Sequence, residues 1–426
     1  MMMFVFVLIY LTLVLLRPQD YPQMADFGIP ILPIAMVSAM GAWIFSREKR
    51  FNAPQYILLP MFHLVLCLSL LAIGWFEGAL GAFLYFLPCL VSFFLLANAV
   101  NTPAYTRTTM TVIVLCAFVM AAHGWQQATT GVGWTGQTTV EDGRIQYVGI
   151  FSDPNDLGML FVISLPMAIY LGSRGGLLGM RRLFWYCGCL LLLYGVYLTN
   201  SRGSFLALVA MTAVYIWIQR GAIWAAMLGA GAMVVLRMMP SRLDELNVQE
   251  SSASGSIDAW YEGMQMFITH PVLGVGAGQF TQYHYLTAHN SIILVLAETG
   301  IVGFALWFAF VGYGFWMMYR IVRFEPEFED EDEDEILEWQ EARTMALVLL
   351  VAQAGFFAAA FFLSRSYVIL LYLLAAFVVA HYSNVLARFP ALGELRLGSH
   401  IVRWGVLTLA AVVAFYIVLK ILLAMG

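Results

Sequence analysis

Long apolar runs separated by short polar breaks dominate this chain from end to end. Each run is roughly 17–25 residues long, enough to cross about 30 Å of hydrocarbon as a helix. They fall near residues 1–16, 28–45, 55–74, 78–100, 108–126, 150–172, 183–199, 204–218, 221–238, 300–320, 343–362, 366–383 and 404–424. In lipid a backbone N–H or C=O has no water to turn to, so such runs are helical. Barrel strands would alternate polar and apolar residues, and these runs do not. The pattern predicts an all-α, polytopic integral membrane protein with about 12–13 transmembrane helices in a single membrane domain, 1–426. Met1–Leu16 lacks a basic leader and a small-residue cleavage site, so a retained first helix is expected there.

Arginine and lysine orient the spans, because cytoplasmic loops retain them. Arg47, Lys49, Arg50, Arg107, Arg174, Arg181, Arg182, Arg220, Arg320, Arg323, Arg343, Arg388, Arg396 and Arg403 all fall on one side, which is therefore read as cytoplasmic. The other side keeps Arg17, Arg144, Arg202, Arg237, Arg242, Arg365 and Lys420. Two of its loops are long: Gln127–Gly149, rich in Gly and Thr, and the loop 239–299. A loop that long in a compact protein carries function or short helices of its own. Helices are expected around Asp258–Ile268 and around Asn290–Thr299, the second amphipathic and at the interface.

Composition agrees: the chain is 62% hydrophobic and 11% charged, which excludes an ordinary soluble domain. The net charge of −5 is local in origin. Eleven of the 26 acids lie in Phe324–Ala342, leaving 15 against 21 bases elsewhere. That run reads as an acidic cytoplasmic loop, 321–342, solvated and self-repelling; consecutive acids do not set a fixed cation geometry. All five cysteines lie in predicted spans, which argues against disulfides and a thiolate metal site. Cys187 and Cys189 read as packing residues.

Candidate chemistry gathers on the outer side. Arg202 sits in LTNSRGSF, where one span leaves the membrane and the next enters. An arginine near hydrocarbon is costly unless paired or facing a wet cavity, and its planar fork suits phosphate oxygens; a snorkelling arginine at a helix end is the plainer alternative. His289 lies in TAHNS and can exchange a proton near neutral pH, while Asn290 could orient the ring or a substrate hydroxyl. His270 and His284 lie in the same loop, and His270 before Pro271 fits a helix end. In FSDPNDLG, Asp153 before Pro154 fits a helix start. Asp153 and Asp156 could cap that helix, bind sugar hydroxyls or pair with Arg202. Gly274-Val-Gly-Ala-Gly278 lacks the strand–helix setting of a nucleotide loop and reads as a flexible turn.

Four stretches together resemble the O-antigen ligase/polymerase superfamily: FSDPNDLGM, LTNSRGSFLAL, DAWYEGMQMFITHPVLGVGAGQF and TAHNSIILVLAETGIVGFALW. The resemblance covers roughly residues 150–320. It implies a membrane glycosyltransferase that moves a glycan from undecaprenyl diphosphate to an acceptor hydroxyl at the periplasmic face of the bacterial inner membrane. The product would most simply be a surface or secreted polysaccharide; ligation of the glycan to lipid A–core or protein is the alternative within the class. By the same resemblance Arg202 would grip the diphosphate and His289 would act as base, with inversion and with no metal or cofactor. Many relatives carry an arginine four residues before the loop tryptophan, here Trp260, where this chain has Ser256. Arg242 and Arg365 are the candidate replacements, and Trp260, His284, Asn290, Asp153 and Asn155 complete the expected substrate-binding set. Expected partners are the lipid-linked glycan, the bilayer and other polysaccharide-assembly proteins, with no nucleic acid. A small-anion transporter is the rival class; it would need charged residues at mid-membrane and two matching halves.

Overall fold

The computed structural model describes residues 1–24, 28–174, 179–238, 246–328 and 333–425. It is all-helical, and no strand forms among the described residues. The helices are α1 (Met2–Leu16), α2 (Ile31–Ile44), α3 (Gln55–Ala72), α4 (Phe76–Ala99), α5 (Pro103–Thr130), α6 (Pro154–Ser173), α7 (Met180–Thr199), α8 (Arg202–Arg220), α9 (Ala222–Met238), α10 (Leu246–Thr269), α11 (Phe280–Tyr283), α12 (Ser291–Arg323), α13 (Glu333–Ala360), α14 (Ile369–Arg388) and α15 (Leu397–Met425). Among the described residues 11 helices are long and apolar enough to cross a membrane. Ile31–Ile44 and the apolar part of α9, Ala222–Ala232, are shorter. Helices α6 and α14 are the most enclosed, whereas α8 and α15 leave most of their apolar surface uncovered, as a lipid-facing helix does.

Counting the shorter α2 and α9 with the 11, successive apolar helices alternate in direction, so the bundle has a basic end and a loop end. Helices α6, α8 and α12 all start at the loop end. Each start has a chemical cause: Asp153 accepts from the Asn155 N–H ahead of Pro154, Ser201 accepts from the Ser204 N–H, and Asn290 Oδ1 accepts from the N–H groups of Ile292 and Ile293. Helix α7 ends on Asn200 in the left-handed region, at φ 49°, so only Asn200 and Ser201 link it to α8.

The glycine-rich loop after α10 is pinned to a break in α12. Val275 N–H and Gly276 N–H donate to the carbonyls of Ala297 and Glu298, and Ile301 and Val302 return bonds to Pro271 and Val272. Buried Glu298 adds its carboxylate to the Phe280 N–H at 3.1 Å. Gly300 turns the chain with φ 61° and ψ −163°, a conformation open almost only to glycine. The segment Ser291–Thr299 is therefore a helix, as the sequence predicts, but it is buried and runs on into α12 across the kink. It is not an interfacial helix, because the Gly274–Gly278 loop and the core cover it on both sides. Helix α10 also begins earlier than expected, at Leu246 rather than Asp258.

The acidic run departs from a solvated loop from Glu333 onward, where α13 begins. Glu341 draws in Arg107, at 2.6 Å, and Arg174, while Glu338 meets Arg388 at 2.7 Å. These pairs bring acids and bases of different spans together at the basic end. Arg107, Glu338, Glu341 and Arg388 line a cavity of about 720 Å³ with Arg50, Asn101 and His381.

Gly300 supplies a test of the kink. A Cβ there would lie 2.4 Å from the Val272 carbonyl carbon, in addition to the backbone strain. Gly300→Ala should lower the thermal transition of the purified protein and cost about 2 kcal/mol or more. Gly278→Ala, at φ 73° with nothing within 4 Å, should cost about 1 kcal/mol and serves as the control.

Candidate functional site at the loop end

Three helix starts meet at the loop end. Helix α6 lies against α8 so closely that a Cβ on Gly158 would sit 2.3 Å from Ser204 Oγ. The turn after α13 is sewn to the start of α12 through Ser291. Its hydroxyl donates to Leu363 O at 2.7 Å and accepts from Arg365 N–H at 2.9 Å, while Ser366 Oγ donates to Ser291 O at 2.7 Å. Ser364 adds a 3.2 Å bond to Thr287 Oγ1. Arg365 then reaches from this turn to the start of α6, where Nη2 meets Asp153 Oδ2 at 2.7 Å and Nε meets Asp156 Oδ1. One guanidinium thereby bonds both carboxylates and joins α6 to the α12 and α13 ends.

His289 belongs to this junction. It lies two residues from Thr287 and two from Ser291, and it is held at φ 45°, a left-handed conformation that costs an ordinary residue roughly 1–2 kcal/mol. The ring is half-buried, and its pKa is lowered first by burial and then by the Arg365 charge, with Asp153 opposing. The imidazole is consequently neutral at neutral pH and able to accept a proton. Asn290 is fully buried and spends its carbonyl on capping α12, while its Nδ2 has no hydrogen-bond partner among the described residues.

Arg202 is the first residue of α8, beside the α6 start, and it is exposed. A helix N-terminus presents N–H groups and the positive end of its dipole. Arg365 is already paired with Asp153 and Asp156, so the attraction for an anion at this place rests on Arg202 and on the dipoles of the three capped ends.

The remaining expected residues divide. Asn155 bonds Asp153 Oδ1 through both its N–H and its Nδ2, at 2.8 and 2.9 Å. Trp260 of α10 meets Phe361 edge to face at 5.7 Å, four residues before Arg365. His284 stands apart: its Nδ1 accepts from Leu286 N–H and its ring lies 4.5 Å from that of Tyr285, contacts that order its own loop. Arg242 lies outside the described residues.

Arg144 carries no assigned role from sequence, yet it borders the same junction. Its Nε donates to Thr199 O at 2.9 Å and its Nη2 to Asn155 Oδ1 at 3.0 Å. Neighbouring Ile145 donates its N–H to Leu198 O, so the loop 131–149 is tied to the end of α7 at two successive carbonyls. No sequence spacing points to this contact, because 55 residues separate Arg144 from Thr199.

The chain is thus a multi-pass helical membrane protein whose loop end brings Arg202, Arg365, Asp153, Asp156 and His289 to three helix starts. Residues 187–308 match the profile of a family described as O-antigen ligase, which supports placing the chain in the O-antigen ligase/polymerase superfamily and a membrane glycan-transfer function of that type. No curated protein matches the chain.

The Arg365 clasp makes a stability prediction. Asp156 is only 14% exposed, so Arg365→Ala leaves a largely buried carboxylate unpaired. The thermal transition should fall by the equivalent of about 3 kcal/mol, and adding Asp156→Asn should recover part of the loss.

Proposed function

We propose that this protein transfers a glycan from undecaprenyl diphosphate to an acceptor hydroxyl, at the periplasmic face of the inner membrane, and so polymerises a surface or secreted polysaccharide. The observation that carries this reading is the junction of Arg202, the Arg365–Asp153–Asp156 clasp and His289 at three helix starts. The scarcity of lysine and arginine at that end supports its periplasmic placement.

The chemistry follows from charge and geometry. A lipid donor lying in the outer leaflet brings its diphosphate to headgroup depth, where Arg202 begins α8. The acceptor oxygen attacks the anomeric carbon, a new C–O bond forms, and the bond from that carbon to the diphosphate oxygen breaks. The bonding pair leaves on the diphosphate, and the Arg202 guanidinium with the α8 N-terminus stabilises the charge that builds there. The acceptor proton passes to neutral His289. Direct displacement of this kind inverts the anomeric centre and uses no covalent enzyme intermediate. Asp153 and Arg365 position the histidine through its loop and adjust its proton affinity.

Ligation of a finished glycan to lipid A–core or protein is the second reading, favoured by the description of the matching family. Transport of a small anion gains less support, because Asp156 and Arg202 stand in the first turns of their helices and not at mid-span.

The test uses purified protein in bilayers with a lipid-diphosphate oligosaccharide, read as product length on a gel. A ladder supports polymerisation; a single added glycan on an acceptor lipid supports ligation. His289→Ala and Arg202→Ala should each lower the transfer rate about 100-fold or more while leaving the thermal transition in place. Normal transfer by either variant refutes the assignment. The rate should also fall as the pH drops through a value below the ordinary imidazole value of about 6.5, because His289 must be neutral to act. Asp153→Asn removes the charge that raises this pKa, so it should move the acidic limb to lower pH.

A further inference from the structure

Arg144 differs from Arg365 in how its charge is used. Arg365 meets two carboxylates and is neutralised by them. Both described hydrogen bonds of Arg144 end on neutral oxygens, the Thr199 carbonyl and the Asn155 side-chain amide. Its positive charge is thus placed, half-buried, between the end of α7 and the start of α6, without a carboxylate on either bond. The placement is firm, because the loop that carries it is itself tied down. Gln127 donates from its side-chain amide to the carbonyls of Gln137 and Thr138 and accepts the Gln146 N–H, and His123 bonds Thr135 at 2.8 Å. Thr199 lies three residues before Arg202, and only Asn200 and Ser201 separate α7 from α8. Arg144 and Arg202 therefore flank the same two-residue link, one bonded to the carbonyl before it and the other opening the helix after it.

We infer that Arg144 is a second anion-binding residue of this site and holds a phosphate group of the lipid-diphosphate donor together with Arg202. The inference rests on the proposed function for the class of ligand, a polyprenyl diphosphate, and adds a residue on an outer loop to its recognition. A structural clip is the alternative role: a basic side chain near a helix C-terminus satisfies terminal carbonyls by itself. The two roles differ in what charge does. A clip needs only donors, whereas phosphate binding needs the cation.

The experiment measures equilibrium binding of a polyprenyl diphosphate carrying no sugar, with the uncharged polyprenol as control, to the intact protein in detergent. Wild-type protein should prefer the diphosphate. Arg144→Gln keeps a donor for the clip and removes the charge; its diphosphate affinity should fall about 10-fold or more, with polyprenol binding unchanged. Arg144→Lys should retain most of the affinity. Diphosphate affinity equal to wild type in Arg144→Gln overturns the inference. Should that variant fail to fold, the wild-type protein still decides: modification of Arg144 by an arginine-directed dicarbonyl, followed by peptide mass spectrometry, should slow when diphosphate is bound. An unchanged rate at Arg144 with a slowed rate at Arg202 overturns it equally. Wild-type protein with no preference for diphosphate over polyprenol would instead strike at the proposed function itself, so the two failures are separate.

Discussion

The contact between Arg365 and the two aspartates at the start of α6 is the constraint on which the loop end depends. It joins three parts of the chain that are far apart in sequence: the FSDPND segment, the turn after α13 and, through Ser291, the loop bearing His289. Each partner alone would be a poor choice at this depth. Asp156 in the first turn of a membrane helix costs desolvation, and so does a part-buried guanidinium in the turn between two spans. Brought together they satisfy each other, and the result holds His289 beside the Arg365–Asp153 pair, whose two charges act on its ring in opposite senses. The proton affinity of the histidine is lowered first by burial and then by the Arg365 charge, with Asp153 opposing.

A second constraint acts through backbone. Gly274, Gly276 and Gly300 allow the loop after α10 to press on the broken helix α12, where a Cβ on Gly274 would lie 2.3 Å from the Glu298 carbonyl carbon. Glu298 secures the following turn through Phe280. Gly274 and Gly300 are thus explained by close packing of main chain on main chain, Gly276 by its left-handed turn, and Glu298 by its bond to the Phe280 N–H. Their contribution to the site is rigidity: they fix the segment that begins at Asn290, and with it the residue just before.

Much of this was legible in the sequence, for reasons that can be named. Span positions follow from the length of apolar runs, and FSDPND, NSRGS and HNS announce helix starts because Asp, Ser and Asn cap helices. The alternation of spans then puts Asp153, Arg202, His289 and Arg365 at one end without any coordinates. What stayed hidden depends on contacts across long separations. Nothing local says that Arg365 takes Asp153 and Asp156, or that Arg144 reaches Thr199 and Asn155. His284 was expected among the substrate-binding residues because a histidine in a loop carries no sign of its partners; its bond to Leu286 and its packing on Tyr285 appear only in three dimensions. The acidic run misled in a similar way. Its density suggested self-repulsion, but Glu338 and Glu341 find arginines on other helices.

The two-residue join between α7 and α8 has a geometric consequence. With no slack in Asn200–Ser201, the height of Arg202 along the bundle is inherited from where α7 stops, and its bearing around the α8 axis from the left-handed turn at Asn200. Each residue in a helix advances about 1.5 Å and turns about 100°. Adding or removing one residue at the end of α7 would therefore swing the guanidinium to another face of the bundle while scarcely changing its depth. The span before the arginine acts as a ruler and a compass for it.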